Sequence, residues 1–282
     1  MDSLEVTNKV PIPVVHLFHE LDRKLIELLQ SLSPADWSRR TLARKWTVKD
    51  IVAHLLDINI RVLSALRDHH FSEAPLIQPN QDLIRYLDQL NADWVKAMNR
   101  ASPEVLIQLH QATGPATSDY YLSLDPFGKA PFPVSWAGET ESKNWTHLAR
   151  EYTEKWHHQA QIREATGKPG IMEREFFYPF IDTYMLALPY TYREVPAPEG
   201  TEIKITVSGE AGGSWYLQRS GADWILGRSE RKPPEAEVII LPEISWRLFS
   251  KNIRANEIKE GISLLGNKEL GLPALDMVSV MA

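Results

Sequence analysis

The hydrophobic pattern of this chain changes its period near residue 195, and this change limits the folds that the 282 residues can adopt. Before that point, apolar residues recur every three or four positions, which predicts amphipathic helices. The segment 195–200 is rich in proline, as linkers are, and residues 202–207 then alternate with a period of two, which predicts a half-buried strand. We therefore predict a multidomain α and α+β protein, with a helical bundle over residues 1–194 and a small α+β domain over residues 195–282.

Four long helices are predicted in the first domain, at about residues 13–31, 47–70, 81–100 and 143–166, with a further helix at about 173–188. Together the long helices favour a four-helix bundle. The second helix has a marked start, because Thr47 followed by Asp50 is an acidic variant of the capping box. Residues 113–138, between the third and fourth long helices, are rich in Gly, Pro, Ser and Thr and predict an ordered functional loop.

The second domain is predicted to contain strands at about residues 202–207, 214–218, 223–227 and 237–241. Short strands that follow one another closely favour an antiparallel meander. A helix is expected to begin at Pro242, and residues 258–265 are expected to form one more element before the apolar C-terminal stretch.

The composition excludes several kinds of site. The chain contains no cysteine, so a disulfide framework, a zinc site built on thiolates and a protein thiol nucleophile are all impossible. A metal ion would have to bind to His, Asp, Glu or water. Three such ligands would leave zinc a fourth position for water or substrate, as in catalytic sites. If the reaction involves sulfur, the sulfur comes from a small molecule.

The charge and hydropathy patterns indicate a soluble protein. With a formal net charge of −6 and no basic stripe, the chain lacks the usual features of a nucleic-acid-binding module. No segment reaches the roughly 18–20 apolar residues that a membrane span needs. The acidic start, Met1 to Glu5, is not followed by a long apolar run, so no secretory signal is expected. We expect a cytoplasmic monomer or homodimer that acts on a small-molecule substrate and binds neither nucleic acid nor membrane.

Three residues are candidates for a metal site. Glu154 and His158 are four positions apart on a predicted helix, which places their Cβ atoms roughly 5–6 Å apart on one face, close enough to share an ion. With His54 of the second helix they would supply two imidazoles and one carboxylate. The residues alone leave a simpler alternative open, because acidic and basic pairs at this spacing are common on solvated helix faces.

The helical periodicity favours that simpler alternative. A helical wheel of residues 143–166 groups the apolar residues on one side, and Glu154 and His158 point nearly the opposite way. The apolar group consists of Trp145, Ala149, Tyr152, Trp156 and Ala160. Periodicity alone therefore predicts a solvent-exposed pair. His157 is a rival to His158 as a ligand, and Glu151 is a candidate acceptor for a hydrogen bond from a ligand imidazole.

Two segments of the chain resemble the DinB-like superfamily, in particular the N-terminal domain of mycothiol-dependent maleylpyruvate isomerases. Residues 46–55 are similar to the signature W-T-V-x-D-[ILV]-x-x-H-L. Residues 154–167 are similar to E-x-x-x-H-x-x-D-I-R-x-A-x-G, with Gln161 in place of the usual aspartate. Residues 236–252 and the end of the chain are similar to the sterol-carrier-like C-terminal domain of the same family, so the resemblance covers nearly the whole chain.

The resemblance implies a ligand set and a chemistry. It implies that His54, Glu154 and His158 bind a divalent metal, zinc or nickel, and its register selects His158 over His157. It further implies an enzyme that uses this metal to activate a low-molecular-weight thiol, such as mycothiol, bacillithiol or glutathione. The thiol would be added or transferred to a small electrophile, or would isomerise it. Two alternatives stay open: a hydrolase that uses metal-bound water, and a non-enzymatic protein that binds a metal or a ligand.

The segment 113–138 is an insertion relative to the family and is expected to border the mouth of the pocket. We expect the pocket to lie where this segment meets the C-terminal domain, because pockets are common at junctions between domains. Its aromatic residues predict a rather rigid apolar lid for an organic electrophile. They are Tyr120, Tyr121, Phe127, Phe132 and Trp136.

Overall fold

The computed structural model describes residues 9–43, 45–71, 80–258 and 260–279, with side chains omitted for residues 80–84. The acidic start of the chain lies outside this description. Over the described residues the chain is helical up to residue 192 and then forms a five-stranded sheet with short helices. The predicted fold class, multidomain α and α+β, is confirmed. None of the helices in these ranges is both long enough and apolar enough to cross a membrane.

A ring of four helices forms the bundle. The helical part contains α1 (Phe18–Gln30), α2 (Val48–Arg61), α3 (Asn80–Met98), α4 (Pro103–Ser123), α5 (Asn144–Thr166), α6 (Arg174–Tyr184) and α7 (Leu188–Tyr192). Helix α1 contacts α4 and α5, and α2 contacts the same two helices, which closes the ring, whereas α3 packs against α2. A π-helical turn, Val62–Arg67, extends α2 over most of the length that was predicted for the second helix.

Helix α4 corrects the predicted loop over residues 113–138. The helix continues through Gly114 and Pro115, and only residues after its end form a loop. The hydroxyls of Thr113 and Thr117 donate to the carbonyls four residues earlier, at 2.8 and 2.9 Å, so these polar groups are satisfied within the helix. Packing of α4 against α1 and α2 outweighs a local composition that favours a loop.

The C-terminal part is built on a sheet in the order β3-β2-β1-β4-β5. Its strands are β1 (Glu202–Val207), β2 (Gly213–Ser220), β3 (Asp223–Gly227), β4 (Ala236–Ile240) and β5 (Ile262–Gly266). The first three strands form the predicted antiparallel meander, but β4 pairs with β1 in parallel. Helix α8 (Pro242–Phe249) begins at the predicted residue, and α9 (Lys268–Gly271) follows β5. Buried residues Ile203, Ile205 and Val207 alternate along β1, as its period of two predicts.

The bundle and the sheet share one apolar core, and α6 contributes to both sides of it. Trp156 of α5 stacks on Phe180 of α6, with ring centroids 3.9 Å apart. Trp215 of β2 donates its indole N–H to Asp182 of α6 at 2.6 Å. The sheet part is therefore packed directly onto the helix that follows α5.

Candidate metal centre

His54 lies in the second turn of α2 and faces α5. The helix starts at a complete capping box, in which the Asp50 N–H donates to Thr47 Oγ1 at 3.3 Å and the Asp50 carboxylate accepts from the Thr47 N–H at 2.8 Å. This cap fixes where the helix begins and hence which face His54 occupies. The Trp46 ring packs against the His54 ring, with centroids 4.8 Å apart.

The imidazole of His54 is buried and has an unused nitrogen. The residue is 7% exposed, and its Nδ1 has no hydrogen-bond partner among the described residues. Burial lowers the pKa of His54 well below its usual value, and His158, Arg61 and His157 lower it further. The ring is therefore neutral, which is the form that binds a metal ion. An unpaired polar atom in such a buried position is rare in folded proteins.

Glu154 and His158 lie on α5, which is covered on several sides. This helix contacts α1, α2 and α6, and nearly every residue of its central turns is buried. His158 is only 9% exposed, and Glu154 is partly buried. The helical-wheel prediction of a solvent-exposed pair is therefore wrong, because a helix with neighbours on several faces has no single apolar stripe.

The structure brings the three candidate residues together. Glu154 Oε2 lies 3.4 Å from His158 Nε2, and the His54 and His158 ring centroids are 4.8 Å apart at 77°. One donor atom from each of the three residues lies within 4.8 Å of the other two. No other group of three His, Asp or Glu residues is arranged so closely in the described part of the chain. Two imidazoles and a carboxylate suit zinc and related divalent metals, so the residues present fit such an ion.

Gln161 fixes the tautomer of His158. Its Oε1 lies 2.9 Å from His158 Nδ1. Because a carboxamide oxygen only accepts hydrogen bonds, Nδ1 carries the proton, and Nε2 presents its lone pair beside Glu154. A hydrogen bond from the outer nitrogen of a ligand imidazole is typical of metal sites. The resemblance shows only that position 161 departs from aspartate, and the role of the glutamine becomes visible in the structure.

His157, the rival candidate, is engaged on the side of the C-terminal part. Its Nε2 accepts from Gln161 Nε2 at 2.9 Å and from Asn252 Nδ2 at 2.8 Å. Its ring lies parallel to that of His158, with centroids 5.1 Å apart, and Trp246 of α8 is 6.0 Å away. Burial lowers the pKa of His157 well below its usual value, and His158 lowers it further. The Nε2 lone pair is thus already used by two amide groups.

Glu151 contacts other partners than the imidazoles of the candidate ligands. Its carboxylate accepts from the Tyr121 hydroxyl at 3.1 Å and from Arg150, and it lies 3.7 Å from His147. Burial acts to raise the pKa of Glu151, but Arg150 and His147 together lower it below its usual value. Gln161, rather than Glu151, therefore accepts the hydrogen bond from the imidazole of His158. Tyr121 is fully buried on α4 and is a core residue rather than part of a lid.

A second buried polar group without a partner lies within electrostatic reach of Glu154. Tyr184, at the end of α6, is fully buried, and its hydroxyl makes no hydrogen bond in the ranges that the structure describes. Burial raises the pKa of Tyr184 well above its ordinary value, and Glu154 raises it further, so the hydroxyl keeps its proton. Trp136 lies edge-on to Tyr184, with centroids 6.5 Å apart. Of the aromatic residues expected in a lid, Trp136 thus contacts a neighbour of the site.

Known proteins share the fold and the family of this chain. The model of the family described as mycothiol maleylpyruvate isomerase N-terminal domain matches residues 18–163, which include all three candidate ligands. Two crystal structures of the mycothiol-dependent maleylpyruvate isomerase, one of them of a point mutant, have TM-scores of 0.54 and 0.53. Each is 11% identical in sequence, and the similarity covers 89% of this chain and 90% of the other. No curated protein matches the chain.

Proposed function

The chain belongs to the mycothiol maleylpyruvate isomerase N-terminal domain family, and we propose that it is a metal-dependent enzyme that activates a low-molecular-weight thiol. The thiol is added to a small electrophilic substrate, transferred to it, or used to isomerise it. The observation that carries the proposal is the cluster of His54, Glu154 and His158, whose donor atoms lie within 4.8 Å of one another. Because the chain has no cysteine, a reacting sulfur must come from outside.

His54, Glu154 and His158 would hold the metal, zinc or nickel. A bound divalent cation lowers the pKa of a thiol beside it, so that the thiol is present as the more nucleophilic thiolate. The chain itself contributes orientation and exclusion of water. Gln161 holds His158 with Nε2 beside Glu154. The burial of His54 keeps its ring neutral and shields it from water.

For the substrate we propose an activated carbon–carbon double bond, of the kind that isomerases of this family act on. The thiolate sulfur would bond to one carbon of the double bond. The π-electron pair of the double bond would be displaced toward the oxygen of the carbonyl group that activates it. After rotation about the remaining single bond, the pair returns and expels the thiolate, so nothing is oxidised or reduced. The Tyr184 hydroxyl is protonated and has no hydrogen-bond partner among the described residues, so it is suited to donate a hydrogen bond to that oxygen.

Metal analysis tests the ligand set. We expect one zinc or nickel ion per chain in the purified protein and a loss of the metal in a His54→Ala/His158→Ala double variant. A His16→Ala/His70→Ala double variant is the matched control, since both of these histidines are exposed. Equal metal content in the two double variants would contradict the assignment.

A panel of electrophiles, assayed with and without each thiol, tests the chemistry. We expect turnover that requires both the metal and one of mycothiol, bacillithiol or glutathione. Turnover that needs the metal but ignores the thiol would contradict the thiol-dependent function and favour hydrolysis by metal-bound water. Metal binding without turnover of any compound would favour a binding protein.

A further inference from the structure

The candidate ligand His158 is linked to the C-terminal part of the protein by a chain of amide hydrogen bonds. His158 Nδ1 donates to Gln161 Oε1 at 2.9 Å, and Gln161 Nε2 donates to Asn252 Oδ1 at 3.1 Å. Asn252 follows the end of α8, in a segment that Ser250 also helps to hold, since Asn252 Nδ2 donates to Ser250 Oγ at 2.6 Å. The Gln161 amide of the bundle therefore has a hydrogen-bond acceptor that lies 91 positions further along the chain.

The orientation of the Gln161 amide decides whether it can support His158. A carboxylate accepts through either oxygen, so it supports an imidazole N–H in either orientation. A carboxamide accepts through one atom only, and a flip would bring its NH₂ group against the His158 N–H. In the observed orientation both acceptors of the amide NH₂ group are in place, Asn252 Oδ1 at 3.1 Å and His157 Nε2 at 2.9 Å. Asn252 also donates to His157 Nε2 at 2.8 Å, which holds that nitrogen as an acceptor.

We propose that Asn252 is a positioning residue of the metal centre: it fixes the amide of Gln161, and Gln161 in turn holds His158 with Nε2 directed toward Glu154. The inference rests on the proposed metal site. It makes the metal affinity of the bundle dependent on a contact from the sheet part of the chain. Without Asn252, the Gln161 amide loses one of its two acceptors. A flip of the amide then breaks fewer hydrogen bonds, so the flipped orientation becomes less unfavourable.

Zinc affinities of the full-length protein test this dependence in a double-mutant cycle. The affinities would be measured by competition with a zinc-binding dye. Partners outside the ligand shell typically contribute 10–100-fold to metal affinity, so we expect a loss of this size in Gln161→Leu and about tenfold in Asn252→Ala. The double variant should bind zinc within about twofold of Gln161→Leu, because Asn252 acts only through the amide. Asn256→Ala, which removes an exposed side chain four residues away, is the control and should bind as the original protein does.

A second measurement needs no metal. The ¹⁵N shifts of the imidazole rings, recorded at a pH where histidine is neutral, report which nitrogen carries the proton. We expect His158 to be a single Nδ1–H tautomer in the original protein and in Asn256→Ala, and a mixture in Asn252→Ala. A single tautomer together with an unchanged zinc affinity in Asn252→Ala would overturn the inference. Failure of the original protein to bind zinc would instead contradict the proposed function, while the tautomer measurement would still decide the role of Asn252.

Discussion

Replacement of Asp22 by alanine should destabilise the bundle strongly, because it leaves a buried ammonium group without its counter-charge. Lys155 of α5 is 5% exposed, and its Nζ donates to Asp22 Oδ1 of α1 at 2.7 Å and to Asn59 Oδ1 of α2 at 3.0 Å. The second carboxylate oxygen of Asp22 accepts from the Ser118 hydroxyl of α4 at 3.0 Å. This one ion pair therefore connects all four helices of the bundle.

The expected size follows from the burial of the pair. Removal of one partner of a buried ion pair generally costs about 3–5 kcal/mol, because the other charge stays desolvated. In Asp22→Ala, Lys155 keeps the Asn59 contact, and a groove of about 390 Å³ that Asp22 and His110 help to line can admit water to the vacated position. We therefore expect a loss at the lower end of that range, about 3 kcal/mol of the free energy of unfolding.

Urea unfolding followed by tryptophan fluorescence measures this loss. The control is Asp119→Ala, since the Asp119 side chain is 71% exposed and among the described residues pairs only with His19, and we expect a change within about 0.5 kcal/mol there. In an Asp22→Leu/Lys155→Met double variant both charges are gone, and the stability should return to within about 1 kcal/mol of the original or exceed it. A loss of less than about 1 kcal/mol in Asp22→Ala would refute the claim that the Lys155 charge depends on Asp22.

Two further predictions concern buried polar groups. Burial lowers the pKa of His110 to about 4. Lys155 adds a smaller lowering, which Asp22 and the hydrogen bond to the Val52 carbonyl oppose. Because the unfolded chain therefore binds more protons between about pH 4 and 6.5, the folded state loses stability as the pH falls through that window. The contribution of His110 to this loss should be about 2 kcal/mol of the free energy of unfolding at pH 5. Urea unfolding at neutral pH and at pH 5 should therefore show a loss that is smaller by this amount in His110→Gln than in the original protein. An equal loss in the two proteins would contradict the lowered pKa of His110. Tyr184→Phe removes a hydroxyl that has no hydrogen-bond partner in the part of the chain that the structure describes. The metal-free protein should therefore keep or gain up to about 1 kcal/mol of stability, while kcat/KM for the thiol-dependent reaction falls. A clear destabilisation in urea, or an unchanged kcat/KM, would contradict the role given to this hydroxyl.

Local patterns predicted most of the secondary structure, and they failed where packing between distant residues decides the conformation. The long helices other than α4 and the first four strands follow from hydrophobic periodicity, and the start of α2 follows from its capping box. In α4, Gly114 and Pro115 are strong local signals for a loop. In the folded protein, a Cβ at position 114 would lie 3.2 Å from the Asp22 carboxylate, so glycine lets α4 approach α1 closely. This reason for the glycine involves a residue 92 positions away and is absent from the local sequence.

The candidate site could be predicted in part. The resemblance of two segments pointed to His54, Glu154 and His158, which the structure brings together, whereas the helical wheel of α5 predicted the opposite. The wheel failed because α5 has neighbours on several sides, and a single sequence does not show how many neighbours a helix will have. The contact between Gln161 and Asn252 had no local signal at all, since a hydrogen bond across 91 positions depends on the tertiary fold.

The position of Asn252 late in the chain has a consequence for how the protein is made. At roughly 5–20 residues per second, the ribosome adds Asn252 about 5–20 s after Gln161. During this interval the bundle has its three candidate ligands, but the Gln161 amide lacks its Asn252 acceptor. We therefore expect the nascent bundle to bind metal more weakly than the finished protein, so that stable loading of the ion follows the completion of the sheet.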